Sequence, residues 1–316
     1  MPRRFTVSPM LIRAAQVAVL AGLAVLLWRV GDGWQALAML RAADPYWLAA
    51  AALALTLQTL LSALRWRLTA ARLGIAISRN DAVREYYLSQ VVNQSLPGGV
   101  LGDAGRAVRA RGQAGLFVSG QAVVFERIAG QIGLLAVLLA GLLASVFFPI
   151  GPGWPAGAMV PIWGVLIAAV CLFAAIAISL RAGPVSAHGL HRVMRAFIHS
   201  VAARDIWKQQ AMLSLGTALC NVVAFAFCAA ALGVAVPVLA VVTIVPLILF
   251  AMVLPLSIGG WGLREGAAAV LFPVFGAAMS EGLATSVAFG LVLLATVLPG
   301  MMLTWMRPNA PVTGRH

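Results

Sequence analysis

Two stretches of this chain gather glycine, proline, arginine and carboxylate inside otherwise apolar sequence. The first is QSLPGGVLGDAGRAVRARG, residues 94–112, and the second is LPLSIGGWGLREGAA, residues 254–268. Glycine accepts positive φ and lets backbone N–H groups come close to a ligand, and Gly98, Gly99 and Gly102 are placed to do so. Asp103 stands where it would cap a following helix. Arg106 and Arg109 are one helical turn apart and share a face. A helix N-terminus beside arginines is an arrangement that binds phosphate. The same spacing is also that of a cytoplasmic turn with a capped helix and topology-setting arginines.

In the second stretch Pro255, Gly259, Gly260 and Gly262 interrupt an apolar run, Arg264 and Glu265 follow, and apolar sequence resumes. Charges at membrane depth are costly unless paired or wet, and non-helical backbone there must be buried in protein or line a cavity. An ordinary turn between two spans is the alternative. A third feature is VVFERIAGQIGLLAVLL, where Glu126 and Arg127 precede a long apolar run. Glu126 and Arg127 are expected to pair with Arg264, Glu265 or the loop arginines across a bundle, or else to form an interfacial ion pair. The two glycine stretches share Leu-Pro, a Gly-Gly pair and an arginine, one in each half of the chain. Matching Gly/Pro-broken segments in two halves point to a transporter binding site.

Catalytic groupings are harder to find. There is no Walker motif, no Asp-x-Asp, and no Ser, His and Asp grouping, so no catalytic residue is assigned. His188, His191 and His199 have no carboxylate or cysteine in their group, and no metal or other cofactor is expected. Cys171, Cys220 and Cys228 lie in apolar runs and read as small buried hydrophobes.

The elements that must position these residues are helices in lipid. The chain has 316 residues, 62% hydrophobic and only 10% charged, with a mean hydropathy of +0.98. That leaves too little polar surface for a water-soluble body. Backbone in hydrocarbon must satisfy its own hydrogen bonds, so the fold class is an all-α polytopic membrane protein. Spans are expected near residues 11–28, 46–64, 128–148, 162–180, 211–232, 238–256 and 283–305, making about seven or eight crossings at about 20 residues each. Short or re-entrant helices are expected at 82–96 and 267–278, and an amphipathic interfacial helix at 190–208. All of it forms a single transmembrane domain, residues 1–316. The net charge of +13 falls in gaps between apolar runs, which points to anionic headgroups and cytoplasmic loops, and not to nucleic acid. Its alternation places the N-terminus in the cytoplasm.

Three features together resemble a known family. They are N-x-x-x-P-G-G-x-x-G-D-x-x-R from Asn93 through Pro97 to Arg106, Glu126-Arg127 with Gly130, and S-I-G-G-W-G-x-R-E-G from Ser257 to Gly266, which includes Trp261. In these the chain resembles the transmembrane region of lysylphosphatidylglycerol synthase/flippase proteins and their stand-alone relatives, over roughly residues 10–305. The resemblance implies a bacterial inner-membrane protein that handles lipid and lacks the soluble aminoacyltransferase domain. The expected site is lipid-binding: Asn93, Pro97, Gly98, Gly99, Gly102, Asp103, Arg106, Arg109, Glu126, Arg127, Gly259, Gly260, Trp261, Gly262, Arg264 and Glu265. The expected ligand is a phospholipid or related polyisoprenoid or hopanoid lipid with an anionic or phosphate-bearing headgroup. Two other readings compete: a non-transporting partner of a lipid-biosynthesis enzyme, and a headgroup or glycosyl transferase.

Overall fold

The computed structural model of the protein describes residues 29, 32–95, 100–147, 188–253 and 259–305, and among these it contains helices and no strand. The expected spans at 11–28 and 162–180 lie outside the described residues, as do Pro97, Gly98, Gly99, Pro255 and Ser257. The helices are α1 (Gly33–Arg41), α2 (Pro45–Arg72), α3 (Arg79–Ser95), α4 (Leu101–Phe147), α5 (His188–Val201), α6 (Trp207–Ala231), α7 (Val238–Phe250), α8 (Leu263–Leu271) and α9 (Met279–Trp305). Short 3₁₀ turns follow α7 and α8, at Ala251–Val253 and Phe272–Phe275.

Among the described residues, α2, α4, α6 and α9 are long and apolar enough to cross a membrane. The helix α2 begins cleanly because the Asp44 carboxylate accepts from the Tyr46 N–H at 2.8 Å and Pro45 takes the first position. It runs past the expected end at residue 64, through Arg65 to Arg72. The helix α7 has 13 residues, roughly 20 Å of rise, which is short of the 30 Å hydrocarbon core and of the expected 238–256 span. The helix α4 is interrupted at Gly115, whose φ of 80° and ψ of 164° no helix accommodates.

The main core gathers side chains from α2, α4, α6, α7, α8, α9 and the turn after α8. Phe225, Phe272 and Phe289 are fully buried there, with ring centroids 5.4 to 6.3 Å apart. Glycines let the helices close on one another. A Cβ on Gly133 of α4 would stand 2.6 Å from the Ser214 carbonyl oxygen of α6, and one on Gly141 would stand 2.7 Å from that of Val242 in α7.

The helix expected over 190–208 is divided. It ends at Val201, and a turn at residues 202–206 leads into α6, so Lys208 belongs to the next helix. The turn is pinned by Arg72, which donates to Asp205 at 2.7 Å and lies 3.4 Å from His199. Phe197 of α5 meets Phe125 of α4 edge to face at 5.3 Å.

Candidate functional site

The first glycine stretch joins α3 to α4, and these two helices pack against each other and against α2. The contact is close because Gly102 has no side chain: a Cβ there would collide with the Ser89 carbonyl. Gly102 is helical and does not take the positive φ expected of it. Asp103 is not the cap of α4 either. The Asn93 side chain caps from the neighbouring helix, its Oδ1 accepting from the Gly102 N–H at 2.8 Å.

That leaves the Asp103 carboxylate free for other partners. It accepts from Ser89 Oγ at 2.9 Å, Asn93 Nδ2 at 3.2 Å and Arg106 Nη2 at 3.0 Å, and it pairs with Arg127. Arg106 reaches onward to Glu126 Oε2 at 3.4 Å. The other Glu126 oxygen accepts from Arg65 Nη2 at 2.6 Å, Arg65 Nε at 3.1 Å and Tyr86 Oη at 3.3 Å. Arg65, Arg106, Asp103 and Glu126 are all buried. The Arg106 guanidinium packs against two rings, 4.5 Å from the Trp66 centroid and 4.6 Å from that of Tyr86. Burying ions is tolerable only with such partners, because desolvation costs several kcal/mol per ion.

The second stretch builds a cluster of the same kind. Gly259, Gly260 and Gly262 have φ of 55°, 85° and 86°, a region that side chains rarely adopt. They turn the chain so that α8 starts with Arg264 and Glu265 directed inward. Glu265 Oε2 accepts from the Gly262 N–H at 2.6 Å and closes the helix start. Its Oε1 accepts from Arg264 Nη2 at 2.5 Å and from Ser286 Oγ at 3.1 Å. Arg264 Nε donates to Ser286 at 2.9 Å. Its guanidinium stands 5.2 Å from the Trp261 and Phe289 centroids. Gly290 of α9 leaves the space, since a Cβ there would stand 2.7 Å from the Trp261 ring.

The two stretches touch. A Cβ built on Gly259 would stand 3.5 Å from the Cα of Gln94, in the last turn of α3. The helices α3 and α9 pack together behind this contact.

Most expected site residues thus fall in two neighbouring clusters. Asn93, Gly102, Asp103, Arg106, Glu126 and Arg127 form the first, and Gly259, Gly260, Trp261, Gly262, Arg264 and Glu265 form the second. Arg109 joins neither: it turns outward and donates to Glu85 at 2.6 Å, although it is only one turn from Arg106. Of the expected pairings of Glu126, the one with the loop arginines holds, through Arg106, and among the described residues its ion pairs do not extend to Arg264. Glu126 pairs with Arg65 and Arg106, Arg127 with Asp103, and Arg264 with its own neighbour.

Arg65, Trp66 and Tyr86 belong to the first cluster and were not among the expected residues. A signal for Arg65 was present. Gln58, Thr59, Ser62, Arg65 and Thr69 recur at helical spacing along α2, and a polar stripe on a span marks an inward face.

Searches against curated proteins and against solved structures return no match. Comparison with protein families matches residues 13–300 to the family described as the lysylphosphatidylglycerol synthase TM region. With that match over most of its length, the chain belongs to the lysylphosphatidylglycerol synthase transmembrane-region family.

Proposed function

We propose that this protein binds a phospholipid or related polar lipid at the paired glycine breaks and moves its headgroup across the bilayer of a bacterial inner membrane. The carrying observation is the contact of Gln94 with Gly259, which brings two broken segments together beside two buried ion clusters. Broken helices that meet inside a bundle offer polar backbone and fixed charge where lipid alone offers none. A phosphate headgroup needs such donors to leave water.

In this reading α3 with the start of α4, and α7 with α8, are helical hairpins entering the membrane from one side. The apolar helices around them hold the acyl chains in the bilayer while the headgroup passes. The basic surface near α5 faces the cytoplasm, and the N-terminus lies on that side. Aminoacyl transfer is not assigned to this chain, and movement follows a concentration or ion gradient.

The test is reconstitution. Vesicles containing the purified protein and a fluorescently headgroup-labelled phosphatidylglycerol are treated with an impermeant quencher. The protein should expose the inner-leaflet label faster than protein-free vesicles do. Equal rates for several labelled phospholipids, with and without protein, would remove the transport reading. If the protein moves nothing alone but co-purifies with a lipid-modifying enzyme, the partner-subunit reading replaces it.

A further inference from the structure

We infer that the first cluster is a binding site for a singly charged phosphodiester, held by Arg65 and Arg106, whereas the second cluster is a structural clasp. This rests on the lipid-handling reading and specifies which cluster meets the headgroup and what charge it accepts.

The hydrogen bonds distinguish the clusters. An arginine carries five N–H donors in a planar fork. In the first cluster Arg65 Nη1, Arg106 Nε, Arg106 Nη1 and the Trp66 indole Nε1 are buried and have no hydrogen-bond partner among the described residues. Arg65, Trp66 and Arg106 are 3%, 2% and 1% exposed, so bulk water does not serve these donors. Buried charged donors without acceptors are costly, and a site with several of them is shaped for an anion. In the second cluster each Arg264 nitrogen has a partner: Ser286 Oγ, the Met252 sulfur at 3.9 Å, and Glu265. Both arginines are buried, pack against two aromatic rings and have an acidic partner, so Arg264 serves as an internal control.

The geometry agrees. The Trp66 and Tyr86 rings both pack against the Arg106 guanidinium, whose unpartnered N–H groups lie in the plane of the fork. That plane is where an arginine reads two oxygens of a phosphate. Gly130 sets the position of Arg65, because a Cβ there would stand 2.7 Å from Arg65 Nη2.

Charge selects the ligand class. In the ion pairs of this cluster, three arginines, Arg65, Arg106 and Arg127, face two carboxylates, Asp103 and Glu126. Arg264 and Glu265 balance each other. A phosphodiester carries one negative charge, whereas a phosphomonoester or free phosphate carries nearer two at neutral pH. The first cluster therefore fits a phosphodiester headgroup with no other charge.

The experiment is native mass spectrometry of the full chain in detergent, titrated separately with phosphatidylglycerol, diacylglycerol and inorganic phosphate. Phosphatidylglycerol should be retained, and the other two should not compete for its site. Arg65→Lys keeps the charge but loses the fork, and it should weaken retention about tenfold or more, the loss of one charge-assisted hydrogen bond. Gly130→Ala keeps every charge and suits a helix better than glycine, but it displaces Arg65 and should weaken retention in the same direction. Arg72→Ala, at the exposed Asp205 pair, should not. The inference is overturned if Arg65→Lys and Gly130→Ala both bind like wild type, if diacylglycerol is held as tightly, or if inorganic phosphate displaces the lipid. A wild type that binds this way yet moves no lipid in vesicles upholds the site and removes only the transport reading.

Discussion

Arg106 and Arg264 are each buried against two aromatic side chains, each at the start of a helix that follows a glycine-rich stretch, and each beside a carboxylate. The environment completes them differently. Around Arg264 the partners include Glu265, next in sequence, and Ser286, across from it on α9, and each guanidinium nitrogen has a partner. Around Arg106 the cluster draws on three helices, with Asp103 and Glu126 from α4, Arg65 and the Trp66 ring from α2 and Tyr86 from α3, and donors remain over. A buried ion group made by neighbours in sequence can close on itself and fix a turn. One assembled from separate helices holds those helices at a set distance and can present charge to something that enters between them. On the proposed reading, the same residue type serves as a clasp in one half of the molecule and as a site in the other.

The sharpest way to break this contrast is to remove Glu126. Glu126→Leu leaves both Arg65 and Arg106 without their shared carboxylate in a buried place, and should cost about 3–5 kcal/mol. Melting followed by fluorescence-detected size exclusion should show the folded peak lost or strongly shifted. A shift of only a degree or two would mean that water reaches the cluster and that the burial argument fails.

Next comes a paired neutralisation. Arg264→Met with Glu265→Gln removes both charges of the clasp while leaving an amide oxygen to accept from Gly262, and it should cost less than about 1.5 kcal/mol. The matching change in the first cluster, Arg106→Met with Glu126→Gln, should abolish lipid retention whatever its effect on melting. If instead the Arg264/Glu265 pair abolishes retention with stability intact, the roles of the two clusters are reversed.

The smallest effect is expected at Arg109. Its pair with Glu85 is partly exposed, and such pairs contribute about 0–1 kcal/mol. Arg109→Ala should therefore leave melting and lipid retention close to wild type. A large loss of retention would mean that the headgroup track extends outward along α4.

Much of this was legible in the sequence because burying charge in lipid leaves traces. Gly-Gly pairs beside Arg264 and Asp103, and the Glu126-Arg127 pair ahead of an apolar run, are costly in a membrane segment and so announce a polar site. Partner choice was not legible. Arg106 and Arg109 have the same spacing relation as any i, i+3 pair, yet one turns into the bundle and the other toward Glu85, which only the packing of α3 on α4 decides. Arg65 was obscured by its neighbours, because Arg67 and Arg72 follow it and make the segment read as a basic loop. The structure instead carries α2 through that segment, and Arg65 falls on the same buried stripe as Ser62 and Thr69. Asp103 looked like a cap because an acidic residue follows the glycines, but Asn93 of the preceding helix had already taken that N–H.

The most direct test of the central claim is to locate the headgroup. A phosphatidylglycerol carrying a photoreactive diazirine on its glycerol headgroup, incorporated into vesicles with the wild-type protein, would be irradiated and the adducts mapped by peptide mass spectrometry. The account predicts adducts on the segments bearing Trp66, Tyr86 and Arg106, competed away by unlabelled phosphatidylglycerol. Adducts confined to the Trp261–Glu265 segment, or spread evenly over the lipid-facing surfaces of α2, α4, α6 and α9, would contradict it.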